Sequence, residues 1–193
     1  MIKRGLNKEM KITIAGNPGS GKSAVSNWVA QRFGIKKYSA GDMRRMMAVE
    51  RGITIDELNK IGENEAWTDK EVDEYQKKVG EKEDNFVIDG RLSWFFIPDS
   101  VKIFLKVDKK IGAERIFKAK RSSEKAYKSV EEAESIITER VDSDKKRYQK
   151  IYGVDPYDFR NHDIILDTSS LSEHEVPKEV EKALKKFLEI EGL

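Results

Sequence analysis

Residues 16–23 read GNPGSGKS, which meets the pattern Gly-x-x-x-x-Gly-Lys-Ser/Thr at every specified position. Such a loop works only between a strand and a helix. Its backbone N–H groups must converge on phosphate oxygens while the helix N-terminus behind them adds positive potential. The flanks comply: KITIAG (11–16) reads as a strand, and KSAVSNWVAQRF (22–33) puts Val25, Trp28, Val29 and Phe33 on one helical face. Gly16, Asn17, Pro18, Gly19, Ser20, Gly21, Lys22, Ser23 and Ala24 are therefore the expected binding set for ATP. Lys22 is expected to reach the outer phosphates and the Ser23 hydroxyl to hold Mg²⁺.

The pattern leaves the destination of the terminal phosphate open, and the rest of the chain must supply it. Short apolar, β-branched runs recur at wide spacing: KITIAG, FVIDG, VKIFLKV and DIILD, with a shorter KKYS after the first helix. Charged segments of helical period lie between them. This alternation predicts an α/β fold, a five-stranded parallel sheet flanked by helices. Ser/Thr-x-x-Glu boxes mark helix starts at Thr54, Thr68, Ser129 and Ser172. The 193 residues suit a single domain, 1–193. Its core is expected over 11–40, 85–111 and 130–193, with two helical or loop excursions, at about 41–84 and about 112–130, long enough to be mobile flaps.

Charge narrows the partners. Asp, Glu, Lys and Arg make up 37% of the chain, against roughly 25% in an average globular protein, yet the net charge is only +2. No whole-molecule attraction to nucleic acid or membrane follows, although local basic patches are allowed. There is no cysteine and there are two histidines, His162 and His174. That argues against a disulfide framework or a zinc site, and both histidines read as surface residues. With no secretory or membrane-length apolar run, the expectation is a soluble, cytoplasmic monomer.

FVIDG ends in Asp89, at the strand end where a second carboxylate should help hold Mg²⁺. The guanine-reading pattern Asn/Thr-Lys-x-Asp is missing, since NKEM and NKIG do not fit it. Arginines point instead to an anionic acceptor. YSAGDMRR places Arg44 and Arg45 beyond a short strand, and DGRLSW places Arg91 just after Asp89. Guanidinium forks at the carboxyl edge of such a sheet suit a phosphate. In the helix SVEEAESIITERVDSDKKRYQKIY, Val130, Ile137, Val141 and Tyr148 form an apolar stripe that Asp144 interrupts, with Arg140 and Arg147 along one margin. An acid on the buried side needs a partner or a wet cleft. Trp67 and Trp94 read as packing residues.

With GNPGSGKS, YSAGDMRR, VIDGRLSW, RVDSDKKRY and DIILDTSSLS in this order, the chain resembles the cytidylate kinases of the short, archaeal-type branch, within the nucleoside monophosphate kinases. The likeness runs from about Lys11 to the last helix. It implies transfer of the γ-phosphoryl group of MgATP to CMP or dCMP, with an acceptor flap between the second and third strands and an arginine-bearing lid. It implies an acceptor set of Ser39, Gly41, Asp42, Arg44, Arg45, Arg91, Arg140, Asp144 and Arg147. Arg140 and Asp144 would lie near the sugar, and either Arg44 or Arg45 would meet the phosphate. The resemblance implies a charge-neutralising set of Lys22, Arg91, Arg115 and Arg121, with Lys118 a neighbouring basic position. The long insertion that frames cytosine in the bacterial branch is absent, so base choice should rest on the 54–75 flap. There, Asp69 and Asp73 are either acceptor contacts or first-turn helix acids. Two other readings stay open: a kinase of another small acceptor (AMP, UMP or a hydroxyl substrate), and an ATP-switched RNA or assembly factor on the same fold.

Overall fold

The computed structural model describes residues 10–119 and 127–190. At its centre is β1 (Met10–Gly16), paired in parallel with β3 (Asn85–Asp89) on one side and β4 (Val101–Lys106) on the other. β2 (Lys36–Ser39) and β5 (Ile164–Asp167) close the edges, giving the parallel order β2-β3-β1-β4-β5. The central strands are buried along nearly their whole length, which is why they read as continuous apolar runs. Ile12, Ile14, Ile103 and Leu105 are fully buried, each worth about 1.5–3 kcal/mol of transfer free energy.

Helices cover both faces. α1 (Lys22–Phe33) and α8 (Val176–Ile190) share one core with β1, Val25 and Val29 meeting Val180 and Leu184. The other face is covered by α5 (Ser93–Phe96) and the end of α7 (Val130–Tyr152), where Trp94 and Tyr148 pack on Ala15 and Phe104. Between β2 and β3 the expected flap is three helices: α2 (Ala40–Glu50), α3 (Ile55–Asn64) and α4 (Trp67–Lys82). They have a small core of their own, built on Met47, Leu58 and Val72. The expected lid, 112–130, opens inside a helix, since α6 runs over Lys109–Ala119. Arg121 lies outside the described residues.

Thr54 makes a reciprocal capping box with Glu57, and Ser129 caps α7. At Ser172 the Glu175 carboxylate accepts from the Ser172 N–H, and α8 begins at Val176. Thr68 is a correction. α4 starts one residue earlier, and the buried Thr68 hydroxyl donates to the Glu65 carbonyl. His162 is another. It is 8% exposed, packed beside Trp94 and Phe104. Among the described residues no helix is long and apolar enough to cross a membrane.

Candidate active site

Strand register brings Ser39, Asp89 and Gly16 to one edge, since Ser39 pairs with Asp89, Asp89 with Ile14, and Gly16 with Leu105. Ligands collect at the carboxyl edge of open α/β sheets. A cavity of about 1310 Å³ opens there. That exceeds the roughly 300–1,000 Å³ of an ordinary small-molecule pocket and leaves room for two ligands side by side.

The phosphate loop forms one wall. Gly19 has a φ of +77°, and a Cβ there would lie 2.3 Å from the Gly112 carbonyl oxygen, so only glycine allows the loop to pass α6. Eight of the nine expected loop residues line the cavity. The exception is Asn17, whose N–H donates to the Leu105 carbonyl and whose Oδ1 accepts from Val107, stitching the loop to β4. Lys22 Nζ donates to the Gly16 and Asn17 carbonyls, each at 2.9 Å, so its ammonium stands inside the loop.

Ser23 and Asp89 both line the cavity. Asp89 is buried, and its two oxygens accept from Ser26 Oγ at 2.9 Å and Ser39 Oγ at 3.1 Å. Burial raises its pKa, against the opposing pull of Ser26 and of the lysines Lys37 and Lys22. Among the described residues no three His, Cys, Asp or Glu side chains cluster as a metal site. One hydroxyl and one carboxylate fit a hard cation that takes its other oxygens from phosphates and water, as Mg²⁺ does.

The opposite wall is a buried ionic chain. Asp144 is 2% exposed and takes three donors: Oδ1 is 2.6 Å from Arg147, while Oδ2 is 2.6 Å from Arg91 Nε and accepts from the Tyr157 hydroxyl at 2.8 Å. Burial opposes its charge, yet the guanidiniums of Arg91, Arg147 and Arg140 hold its pKa below the usual carboxylate range. Burial likewise opposes the Arg91 charge, and Asp144 and Tyr157 more than restore it. Arg147 continues the chain to Asp69, which also binds Arg44 at 2.9 Å. Arg44 is further committed, Nε to Asn59 and one terminal nitrogen to the Thr68 carbonyl.

Several expectations shift accordingly. Arg44 lines the cavity, buried in the flap wall with one terminal nitrogen that has no hydrogen-bond partner. Arg45 is paired only with Asp42 of its own helix among the described residues, and is a quarter exposed at the cavity. Arg91, Arg140, Arg147 and Gly41 line the cavity as expected. Ser39 and Asp42 do not: the Ser39 hydroxyl caps α2 at the Asp42 N–H and holds Asp89 from behind, while the exposed Asp42 pairs with Arg45. Asp144 lines the cavity too, and its carboxylate holds Arg91 and Arg147 there. Arg115 lines the cavity beside Lys118, with its guanidinium donating to the Gly19, Thr168 and Leu171 carbonyls and to the Thr168 hydroxyl. It clamps the turn after β5 onto the phosphate loop. Tyr157, Asn59 and Gln76 gave no sequence signal, because they stand in a loop or among polar helix positions with no interrupted apolar period.

The cytidylate kinase-like family model matches residues 11–170. The chain belongs to the cytidylate kinase-like family. Among its relatives, a cytidylate kinase of Methanopyrus kandleri is 39% identical over 191 residues, covering 93% of this chain and 95% of the relative. One of Pyrococcus horikoshii is 38% identical over 165 residues, covering 85% and 82%. Solved structures give the fold. Shikimate kinase from Aquifex aeolicus aligns with a TM-score of 0.56 at 23% identity, over 91% of this chain and 96% of that one. Shikimate kinase from Bacteroides thetaiotaomicron aligns at 0.62 with 15% identity, over 95% and 99%. At such identities the likeness speaks for architecture alone.

Proposed function

We propose that this member of the family is a nucleoside monophosphate kinase that transfers the γ-phosphoryl group of ATP to CMP or dCMP, giving ADP and CDP or dCDP. The relatives' shared name supports the substrate. The observation that carries the reading is one cavity with an ATP loop on one side and Arg45 and Arg91 on the other. A hydroxyl acceptor would want a positioned carboxylate base. Here the two buried acids on the cavity lining are engaged, Asp144 by three donors and Asp89 by two serines. A phosphate monoester has a second pKa near about 6, is mostly dianionic at neutral pH, and needs no base.

In this reading the loop amides and Lys22 hold the outer phosphates of ATP. Arg45 and Arg91 hold the acceptor phosphate in line, with Asp144 and Tyr157 fixing the angle of Arg91. Ser23 and Asp89 would hold Mg²⁺, which supplies charge neutralisation at the transferring group. Closure of the flap would exclude water as a competing acceptor. The enzyme would act as a cytoplasmic monomer, with no obligatory nucleic acid. Lys22→Ala and Arg91→Ala are each expected to lower CMP-dependent ADP release more than about a hundredfold. Near-normal turnover in either variant removes that residue from the mechanism. Chelation of divalent cations should abolish turnover, and full activity in excess EDTA would remove Ser23 and Asp89 from a metal role.

A further inference from the structure

The cavity continues past Arg91 to a floor where α4 meets the turn after β3, and phosphoryl transfer uses nothing there. Its polar centre is Gln76, 2% exposed and on the cavity lining. Ser93 Oγ donates to Gln76 Oε1 at 2.7 Å, and Gln76 Nε2 donates to Asp73 Oδ1 at 3.3 Å. The Tyr152 hydroxyl donates to the other oxygen of Asp73 at 2.5 Å. In the carboxylate, the form that prevails above the value of about 7 to which burial lifts Asp73, Oδ1 only accepts, so the nitrogen side of the amide faces it. The oxygen side then faces Ser93. Turning the amide over would set two acceptors against each other.

A carboxamide has two hydrogens and two acceptor sites. Asp73 takes one hydrogen and Ser93 one lone pair, which leaves one donor and one acceptor on an amide that lines the cavity. Gly90 makes room for this arrangement. A Cβ there would lie 2.2 Å from Ser93 Oγ and 2.9 Å from Gln76 Oε1. Val72 and Ile55 add apolar side chains to the same cavity lining, as the faces of a flat ring require.

We propose that Gln76 reads the edge of the acceptor's base, and that Ser93 and Asp73 fix the sense of its amide so that the site takes cytosine and rejects uracil. This rests on the monophosphate kinase reading and deepens it. Cytosine presents an acceptor at N3 beside an amino donor, whereas uracil presents a donor at N3 beside a carbonyl acceptor. A freely turning amide serves both orders. A pinned one serves a single order, and the wrong base leaves buried groups unpaired. Sites that demand a particular hydrogen bond reject analogues lacking it by factors of about 10⁴–10⁵, and a neutral amide edge is expected to reach about a hundredfold.

The test is kcat/KM for CMP and for UMP in the wild type and in Gln76→Ala, Ser93→Ala and Asp73→Asn. It is run at pH 8, above the value of about 7 to which burial lifts Asp73. The wild type should favour CMP by about a hundredfold, and each variant should collapse the CMP:UMP ratio by at least about tenfold. In Ser93→Ala and Asp73→Asn the collapse should come mainly from improved UMP turnover. A residue that merely packs the flap would lower both substrates together. An unchanged ratio in soluble Gln76→Ala, or in Ser93→Ala should Gln76→Ala fail to fold, overturns the proposal. So does a wild type that takes both pyrimidines equally, an outcome that leaves the kinase reading standing. A wild type inactive on every monophosphate defeats that reading first.

Discussion

Asp144 shows how single side chains set this site. Its charge holds Arg91 and Arg147 in fixed poses and compensates both inside the fold. Its interruption of an apolar stripe was legible in the sequence, because helical period alone puts residue 144 on the buried face. Its partners were not legible, since Arg91 and Tyr157 arrive from distant loops. His162 was misread as a surface residue for a related reason: a lone histidine in a polar stretch carries no period, and only the fold closes Trp94 and Phe104 over it. Burial depresses its pKa to about 4 from an ordinary 6.5, although the Phe159 backbone and the Asp163 charge favour the proton. The folded state therefore resists protonation, and stability is lost as pH falls from about 6.5 to about 4. Asp73 runs the other way. Burial lifts it from 3.8 to about 7 against the Tyr152 hydrogen bond, so stability is gained as pH falls from about 7 towards 3.8. His162→Phe should make the melting temperature rise relative to wild type on acidification from pH 7 to 5, and Asp73→Asn should make it fall more steeply. Parallel melting curves against pH for all three proteins would contradict both assignments.

Among the elements, the joint between the flap and α7 is the distinctive one. Asp69 of α4 accepts from Arg44 of α2 and pairs with Arg147 of α7, while Asp73 of α4 accepts from Tyr152 of α7. Of the two acids that the sequence left as either acceptor contacts or first-turn acids, Asp69 does stand in the first turn of α4, and both tie the flap to the core. Spacing within α4 could not decide this, because the answer depends on where α7 crosses. The helix starts show the same division. Thr54 and Ser129 behave as local chemistry dictates, whereas Thr68 is overridden by burial beneath Arg44. Removing Asp69 leaves two buried guanidiniums short of a counter-charge, a defect that typically costs about 3–5 kcal/mol. Urea denaturation of Asp69→Ala should show a loss of that order, and a double-mutant cycle with Arg147→Ala should show strong coupling between the sites. A loss below about 1 kcal/mol, or additive effects, would mean the tie contributes little.

At the scale of the whole molecule, the parallel sheet and the strand–loop–helix of the phosphate-loop motif were readable almost completely. Doubly buried strands and a glycine-rich turn leave unmistakable local patterns. The acceptor half was readable only as an excess of arginines, because it is assembled from α2, α4, α7 and the turn after β3. What the assembled molecule adds is one cavity with the phosphate loop on one side and arginines on the other, the arrangement on which the proposal of a second anionic substrate rests. The most direct test is a coupled ADP-release assay with MgATP and each of CMP, dCMP, UMP, AMP and GMP, against an acceptor-free control. Saturable turnover with CMP or dCMP, far above the control and above the other monophosphates, is the expected result. If no monophosphate raises ADP release above the control, the arginines do not form an acceptor site and the proposed function is wrong.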